Sequence, residues 1–225
     1  MILSIESSIQ TFKKIQFHEG VNVLLADKIS DATNKQTRNS AGKTSLIEII
    51  HFIFGSDCDT DSIFRTPELI EHSFTATLTL DGERFRVQRT GIAPSKIYIL
   101  EGGQDRDDLV LKTDKATERL FINNNNWRIF LGHVFFKMPS DLEGSIFDES
   151  YTPSFRSMFS YFVRRVNSGG YISPERHAEK QQRYDWQVNL SYLFGLDWRI
   201  SYEFNKVRAK EKTLDELKKL QKVVY

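Results

Sequence analysis

The segment Asn39-Ser40-Ala41-Gly42-Lys43-Thr44-Ser45 constrains this chain more than any other, because of what flanks it. Upstream, Gly20 turns the chain into Val21-Asn22-Val23-Leu24-Leu25, a short apolar run suited to a buried strand. A polar loop from Asp27 to Ser40 follows. Downstream, Leu46, Ile47, Ile49, Ile50, Ile53 and Phe54 recur at helical spacing, and Gly55 is placed to end the helix. Strand, loop, Gly-Lys-Thr and helix is the order in which such residues hold phosphate. Gly42 would let the backbone approach a phosphate where a Cβ would clash. The amides of residues 41–45 would point at a β-phosphate from the helix N-terminus. Lys43 would neutralise β- and γ-phosphate charge, and the Thr44 hydroxyl would hold Mg²⁺. The pattern departs from the usual one in that Thr37 stands where a glycine is expected.

The rest of the chain reads as mixed structure. Residues 2–5 and 11–17 have strand character. From Phe74 to Arg89 the apolar residues recur with period two, broken by Asp81-Gly82, a strong hairpin signal. Lys96 to Leu100 adds a strand, which Glu101-Gly102-Gly103 turns, so an antiparallel meander is expected. A helix is expected over Lys115 to Phe121, stopped by the four consecutive Asn from Asn123. Further helices are expected over 151–166, after Pro153, and over 184–194. From Trp198 onward Ile200, Phe204, Val207, Leu214, Leu217 and Val224 follow helical spacing among many charges, the pattern of a coiled-coil root. The fold class expected is α/β with α+β character, a mixed or antiparallel sheet around the Gly-Lys-Thr helix.

Composition excludes several classes. With 40% hydrophobic residues and 17 Phe, the chain has material for a core, so global disorder is a poor reading. A formal net charge of +1 leaves nucleic-acid contact to local patches. Cys58 is the one cysteine, which excludes an intrachain disulfide and a thiolate cluster. The first residues lack the pattern of a signal peptide, and no apolar run is long enough for an ordinary membrane span. A cytoplasmic location without a membrane partner is expected. The five His show no metal spacing, and His51 reads as packed within its helix. Asp57, Asp59 and Asp61 alternate, but without the Gly and distal Glu of a Ca²⁺ loop they read as a polar turn.

The stretch from Phe17 to Gly55 (FHEGVNVLLADK, then TRNSAGKTSLIEIIHFIFG) resembles the head of SMC/RecN-like ATPases of the ABC class. It is most similar to a bacterial branch with a polar insert ahead of Arg-Asn-x-x-Gly-Lys-Ser/Thr, as in the SMC-like subunits of Lamassu-type antiphage systems. The DGERFRVQRT hairpin, the SFRSMFSYFVRR helix and YLFGLDWRI are similar too. The resemblance implies a nucleotide site at Arg38, Asn39, Ser40, Ala41, Gly42, Lys43, Thr44 and Ser45, with ATP and Mg²⁺ as cofactors and Thr44 on the metal. Ser40 replaces the Gly usual after that Asn. It implies an ATPase head over 1–197 and the start of a coiled-coil arm over 198–225. It also implies the C-terminal half of the same head, a second head as homodimer partner, double-stranded DNA, and an effector nuclease with an accessory subunit. The signature motif, the Walker B Asp-Glu and the switch His have no counterpart in the sequence, and no Gln occurs between Trp127 and Lys180. The chain is therefore expected to be the N-terminal part of a longer polypeptide, with the metal-sensing Gln displaced or replaced near Ser154.

Two other functions compete with a DNA-associated ATPase acting in antiphage defence or DNA repair. One is a self-contained P-loop kinase or GTPase, against which stand the missing Walker B strand and the antiparallel hairpin. The other is a scaffold whose degenerate loop binds no nucleotide. For DNA contact the candidates are Arg156, Arg164 and Arg165, which fall on one expected helix with Phe155, Phe159 and Phe162 between them. The competing reading is a helix with one core face and one solvated face.

Overall fold

The alternating residues on either side of Asp81-Gly82 form two full strands. A computed structural model, which describes residues 1–25, 43–139 and 152–224, pairs β3 (Ser73–Leu80) with β4 (Glu83–Thr90) in antiparallel register from Ser73↔Thr90 to Leu80↔Glu83. Asp81 and Gly82 both have positive φ, 51° and 81°. That geometry matches the right-handed twist of the flanking strands, which is why Asp-Gly serves there. Five more strands extend the sheet: β1 (Ile2–Ser7), β2 (Ile15–Gln16), β5 (Lys96–Glu101), β6 (Leu111–Thr113) and β7 (Leu120–Asn123). The order is β2-β1-β3-β4-β5-β7-β6, and every pair is antiparallel.

One face of this sheet carries the core. Phe74, Ala76, Leu78 and Leu80 of β3 lie opposite Arg89, Val87, Phe85 and Glu83 of β4, and all of these except Glu83 are buried. Helix α1 (Lys43–Ile53) packs on β3 and β4. Its Leu46, Ile49, Ile50 and Ile53 are buried, as the helical spacing requires. Phe52 stacks on Phe64 at 4.0 Å between centroids and meets Phe74 edge-on at 6.1 Å. The end of α1 is a Schellman motif: the Ser56 amide donates to the His51 carbonyl and the Gly55 amide to that of Phe52. Gly55 takes φ 81° to make it, which confirms the C-cap.

Four expectations are corrected in residues 1–137. Val21–Leu25 is not a strand; its apolar side chains are exposed, Val21 at 84% and Leu25 at 77%. A strand apolar on both faces needs neighbours to pair its amides and carbonyls, and no strand among the described residues pairs with this run. Instead the Asn22 side chain accepts from the His18 amide and donates to the His18 and Gly20 carbonyls, a local turn. Of the strand expected over 11–17, only Ile15–Gln16 pairs. Lys115–Phe121 is not a helix. Asp114 accepts from the Ala116 amide through its side chain and from the Glu118 amide through its carbonyl, turning β6 into β7. The Asn run starts a helix rather than stopping one, because Asn123 caps α2 (Asn124–Phe136) by accepting from the Asn125 amide at 3.0 Å.

The chain divides into two units, Met1–Lys137 and Met138–Tyr225. The second contains α3 (Phe155–Phe162), α4 (Arg183–Leu193) and α5 (Trp198–Val224). Ser154 caps α3 by accepting from the Ser157 amide. Asp185 on α4 is the hub of the α3–α4 contact, since it accepts from Ser157, Gln181 and Asn189. The start of α5 packs on α4 with a Ser191–Ser201 hydroxyl contact at 3.1 Å, and Tyr202 of α5 is buried. From Ala209 to Gln221 every residue of α5 is exposed, with Leu214, Leu217 and Leu220 among them. The α+β class holds, with an antiparallel sheet and five helices among the described residues.

Candidate functional site

The phosphate-type motif falls at the start of α1. Lys43 is its first helical residue, and Thr44 and Ser45 are exposed in the first turn. Arg38, Asn39, Ser40, Ala41 and Gly42 lie outside the described residues. An 11-residue helix directs its unpaired N-terminal amides and the positive end of its dipole towards Lys43 and Thr44. The first turn therefore offers amide donors and the Thr44 and Ser45 hydroxyls, which suits an anionic ligand.

Along the N-terminal half of α1 runs a groove of about 830 Å³. Ser45, Leu46 and Ile49 form its α1 side, while Phe12 and Lys13 reach it from the β1–β2 connection and Phe64 from beyond the helix. The walls are mostly apolar, with Lys13 and Glu48 as the charged groups. Its volume is in the range that takes a small organic ligand.

The far end of α1 is held by side chains from two other elements. Arg89 of β4 is 1% exposed, and one of its terminal nitrogens donates to the Phe52 carbonyl at 2.5 Å and the Ser56 carbonyl at 2.8 Å. Its other terminal nitrogen and its Nε donate to the Pro94 carbonyl at 2.5 and 2.9 Å. The guanidinium lies over the Phe52 ring at 4.4 Å. Burial pushes the Arg89 pKa down to about 10, so the group is still cationic near neutral pH. From α2, Trp127 Nε1 donates to the Ile53 carbonyl at 2.9 Å and Arg128 Nε to the Gly55 carbonyl at 2.6 Å. Arg128 also pairs with Asp57. Carbonyls that a helix end leaves without partners are thus satisfied, and two cations sit at the negative end of the dipole.

Sequence reasoning missed Arg89, Trp127 and Arg128. For Arg89 a signal was present: Phe85, Val87 and Arg89 share one face of β4, so a cation stands in the apolar series. A buried cation without carboxylate partners must be held by carbonyls. For Arg128 and Trp127 the sequence carries no such signal, because the Asn run before them reads as a helix stop.

The three arginines offered for DNA contact do not share a helix. α3 ends at Phe162, so Arg164 and Arg165 lie beyond it, which corrects the helix expected over 151–166. Arg164 is used internally, donating to the carbonyls of Gly170 at 2.8 Å, Ser173 at 3.2 Å and Pro174 at 2.7 Å. Its guanidinium ties down the loop after α3. Arg156 lies on α3 with its guanidinium over Phe159 at 5.5 Å. The Arg165 carbonyl accepts from the Gly170 amide. Among the described residues no group of three or more His, Cys, Asp or Glu could hold a metal ion, Asp57, Asp59 and Asp61 included. His51 is fully buried, in keeping with a packed residue. No described helix is long and apolar enough to cross a membrane. No protein-family model, curated protein or solved structure matches this chain.

Proposed function

We propose that this chain is the phosphate-loop part of an ATP-binding head of the SMC/RecN-like kind. The observation that carries the reading is that Lys43 and Thr44 of the Gly-Lys-Thr sequence open a helix, with Thr44 and Ser45 exposed and its other end locked into the core. Triphosphate would sit on the amides of the first turn, with Lys43 against the β- and γ-phosphates and Thr44 on Mg²⁺. The groove beside Ser45 would take the base, with Phe12 and Phe64 as its apolar walls and Lys13 as its cation. The sheet favours this reading over a kinase or GTPase, since those folds need parallel strands and every pair among the described residues is antiparallel.

Hydrolysis belongs to the assembled head in this proposal. A phosphoryl-transfer site needs a group that orients water and completes the metal shell. No Walker B carboxylates occur in the sequence, so the returning C-terminal half and a second head would supply them. The exposed apolar positions of α5 fit a coiled-coil partner, and the run Val21–Leu25 fits a neighbouring strand from the proposed C-terminal half. Double-stranded DNA, an effector nuclease and an accessory subunit complete the proposed partners, in antiphage defence or DNA repair.

Calorimetric titration of Mg-ATP tests the reading. Wild-type chain should bind; Lys43→Ala should weaken binding by roughly 100-fold, the scale of a lost charge-assisted phosphate contact. Thr44→Ala should weaken it chiefly in the presence of Mg²⁺. Equal affinity in wild type and Lys43→Ala would remove the phosphate role. Steady ATP turnover by this chain alone, at several per second, would overturn the division of labour.

A further inference from the structure

We infer that Arg89 and Arg128 are positioning residues for the nucleotide, acting through α1 from the end opposite the phosphates. The inference rests on the nucleotide reading above and adds to it how the first turn is held in place. Its basis is the way α1 is fastened. At the C-terminal end, Arg89 bridges the Phe52, Ser56 and Pro94 carbonyls, and Arg128 holds the Gly55 carbonyl while paired with Asp57. Trp127 adds a bond to the Ile53 carbonyl. The two arginines come from different elements, β4 and α2, so they brace the helix end from two directions. At the N-terminal end Thr44 and Ser45 are exposed.

α1 also packs on β3 and β4 through Leu46, Ile49 and Ile50, and the bonds at its C-terminal end fix its tilt on that surface. At 1.5 Å per residue, the 11 residues of α1 span about 16 Å. A tilt of about 5° at the braced end would shift the first turn by ~1.4 Å. Hydrogen bonds from amides to phosphate oxygens weaken over a few tenths of an ångström, so a shift of that size would break several of them. The bracing also depends on charge. Carbonyls at a helix C-terminus carry its partial negative charge, and the two guanidinium groups sit against it. Lysine cannot reproduce the Arg89 contacts, because a single ammonium lacks the planar fork that reaches three carbonyls on two sides.

The test uses the full chain and Mg-ATP. Arg89→Met removes the buried cation while keeping an unbranched apolar side chain against Phe52. Arg128→Gln changes a more accessible side chain and leaves the core intact. Arg89→Lys keeps the charge and loses the fork. We expect the dissociation constant for Mg-ATP to rise roughly 30-fold in Arg89→Met, with Arg89→Lys between it and wild type, and about 3- to 10-fold in Arg128→Gln. The ³¹P resonance of the bound β-phosphate should move from its wild-type position in each variant, in the same order. A side chain that only stabilised the fold would lower the melting temperature and leave the affinity and ³¹P shift of the folded fraction unchanged. Wild-type affinity and shift in Arg128→Gln and in folded Arg89→Met overturn the inference. If Arg89→Met does not fold, Arg128→Gln with Arg89→Lys decides by the same criteria. Absence of Mg-ATP binding by the wild-type chain overturns the nucleotide reading itself and this inference with it. Binding by wild type that the arginine variants leave untouched overturns the positioning role alone.

Discussion

The hairpin of β3 and β4 and the run Val21–Leu25 are both written in the residues of strands, yet only the hairpin is one. In the hairpin each strand brings its partner along, a two-residue turn away, so ladder bonds and cross-strand packing form together. The run Val21-Asn22-Val23-Leu24-Leu25 has comparable β-forming residues but no described strand beside it. Strand propensity is largely the fit of a side chain to a pleated, half-buried surface, and a lone segment has no such surface. The comparison separates what a segment prefers from what its neighbours allow.

Hydrogen exchange gives the largest expected contrast. Amides of Ala76, Leu78, Phe85 and Val87 should exchange with the global opening of their unit, roughly 10³-fold or more slower than unprotected amides. Amides of Val21, Val23 and Leu25 should exchange as if unstructured. Protection of those three in the isolated chain would break the comparison. A truncation test comes next. Phe85→Ala empties a fully buried site beside Phe130 and should cost about 3–5 kcal/mol in denaturant unfolding. A loss under 1 kcal/mol would mean the β4 face is not core. The turn is a smaller lever. Gly82→Ala places a Cβ at φ 81° and should cost about 1–2 kcal/mol, with no neighbour clash to add to it. Smallest is Leu25→Ser, which changes a side chain that is 77% exposed and should stay within about 0.5 kcal/mol of wild type. The same substitution made in a longer polypeptide that supplies a neighbouring strand should cost several times more, which would sharpen the comparison directly.

The same contrast explains which elements were legible. α1 was readable because its apolar spacing, its Gly-Lys-Thr start and its Gly55 stop agree. The meander was readable because Asp81-Gly82 and Gly102-Gly103 mark where it turns. Residues 115–121 misled because the charged stretch suits a helix, while Asp114 commits its carboxylate and carbonyl to a turn. The Asn run misled because Asn suits both ends of a helix, and the choice depended on β7 arriving directly before it. In the candidate site, Lys43, Thr44 and Ser45 were found from the motif. The side chains that hold α1 from behind were not, since they are 33 to 37 residues or more away in sequence.

What the sequence determined by itself was local: the position and limits of α1, the hairpin and its turn, and the apolar stripe of α5. Each depends on residues within a few positions of one another, whose spacing and φ preferences suffice. Tertiary structure alone decided three things. It placed Arg89 and Arg128 at the C-terminal end of α1, because carbonyls left open there attract buried cations from wherever the chain can bring them. It turned Arg164 inward to three carbonyls of the following loop and away from a shared helix with Arg156. It left Val21–Leu25 outside the sheet, because a strand exists only where a second backbone meets its amides and carbonyls.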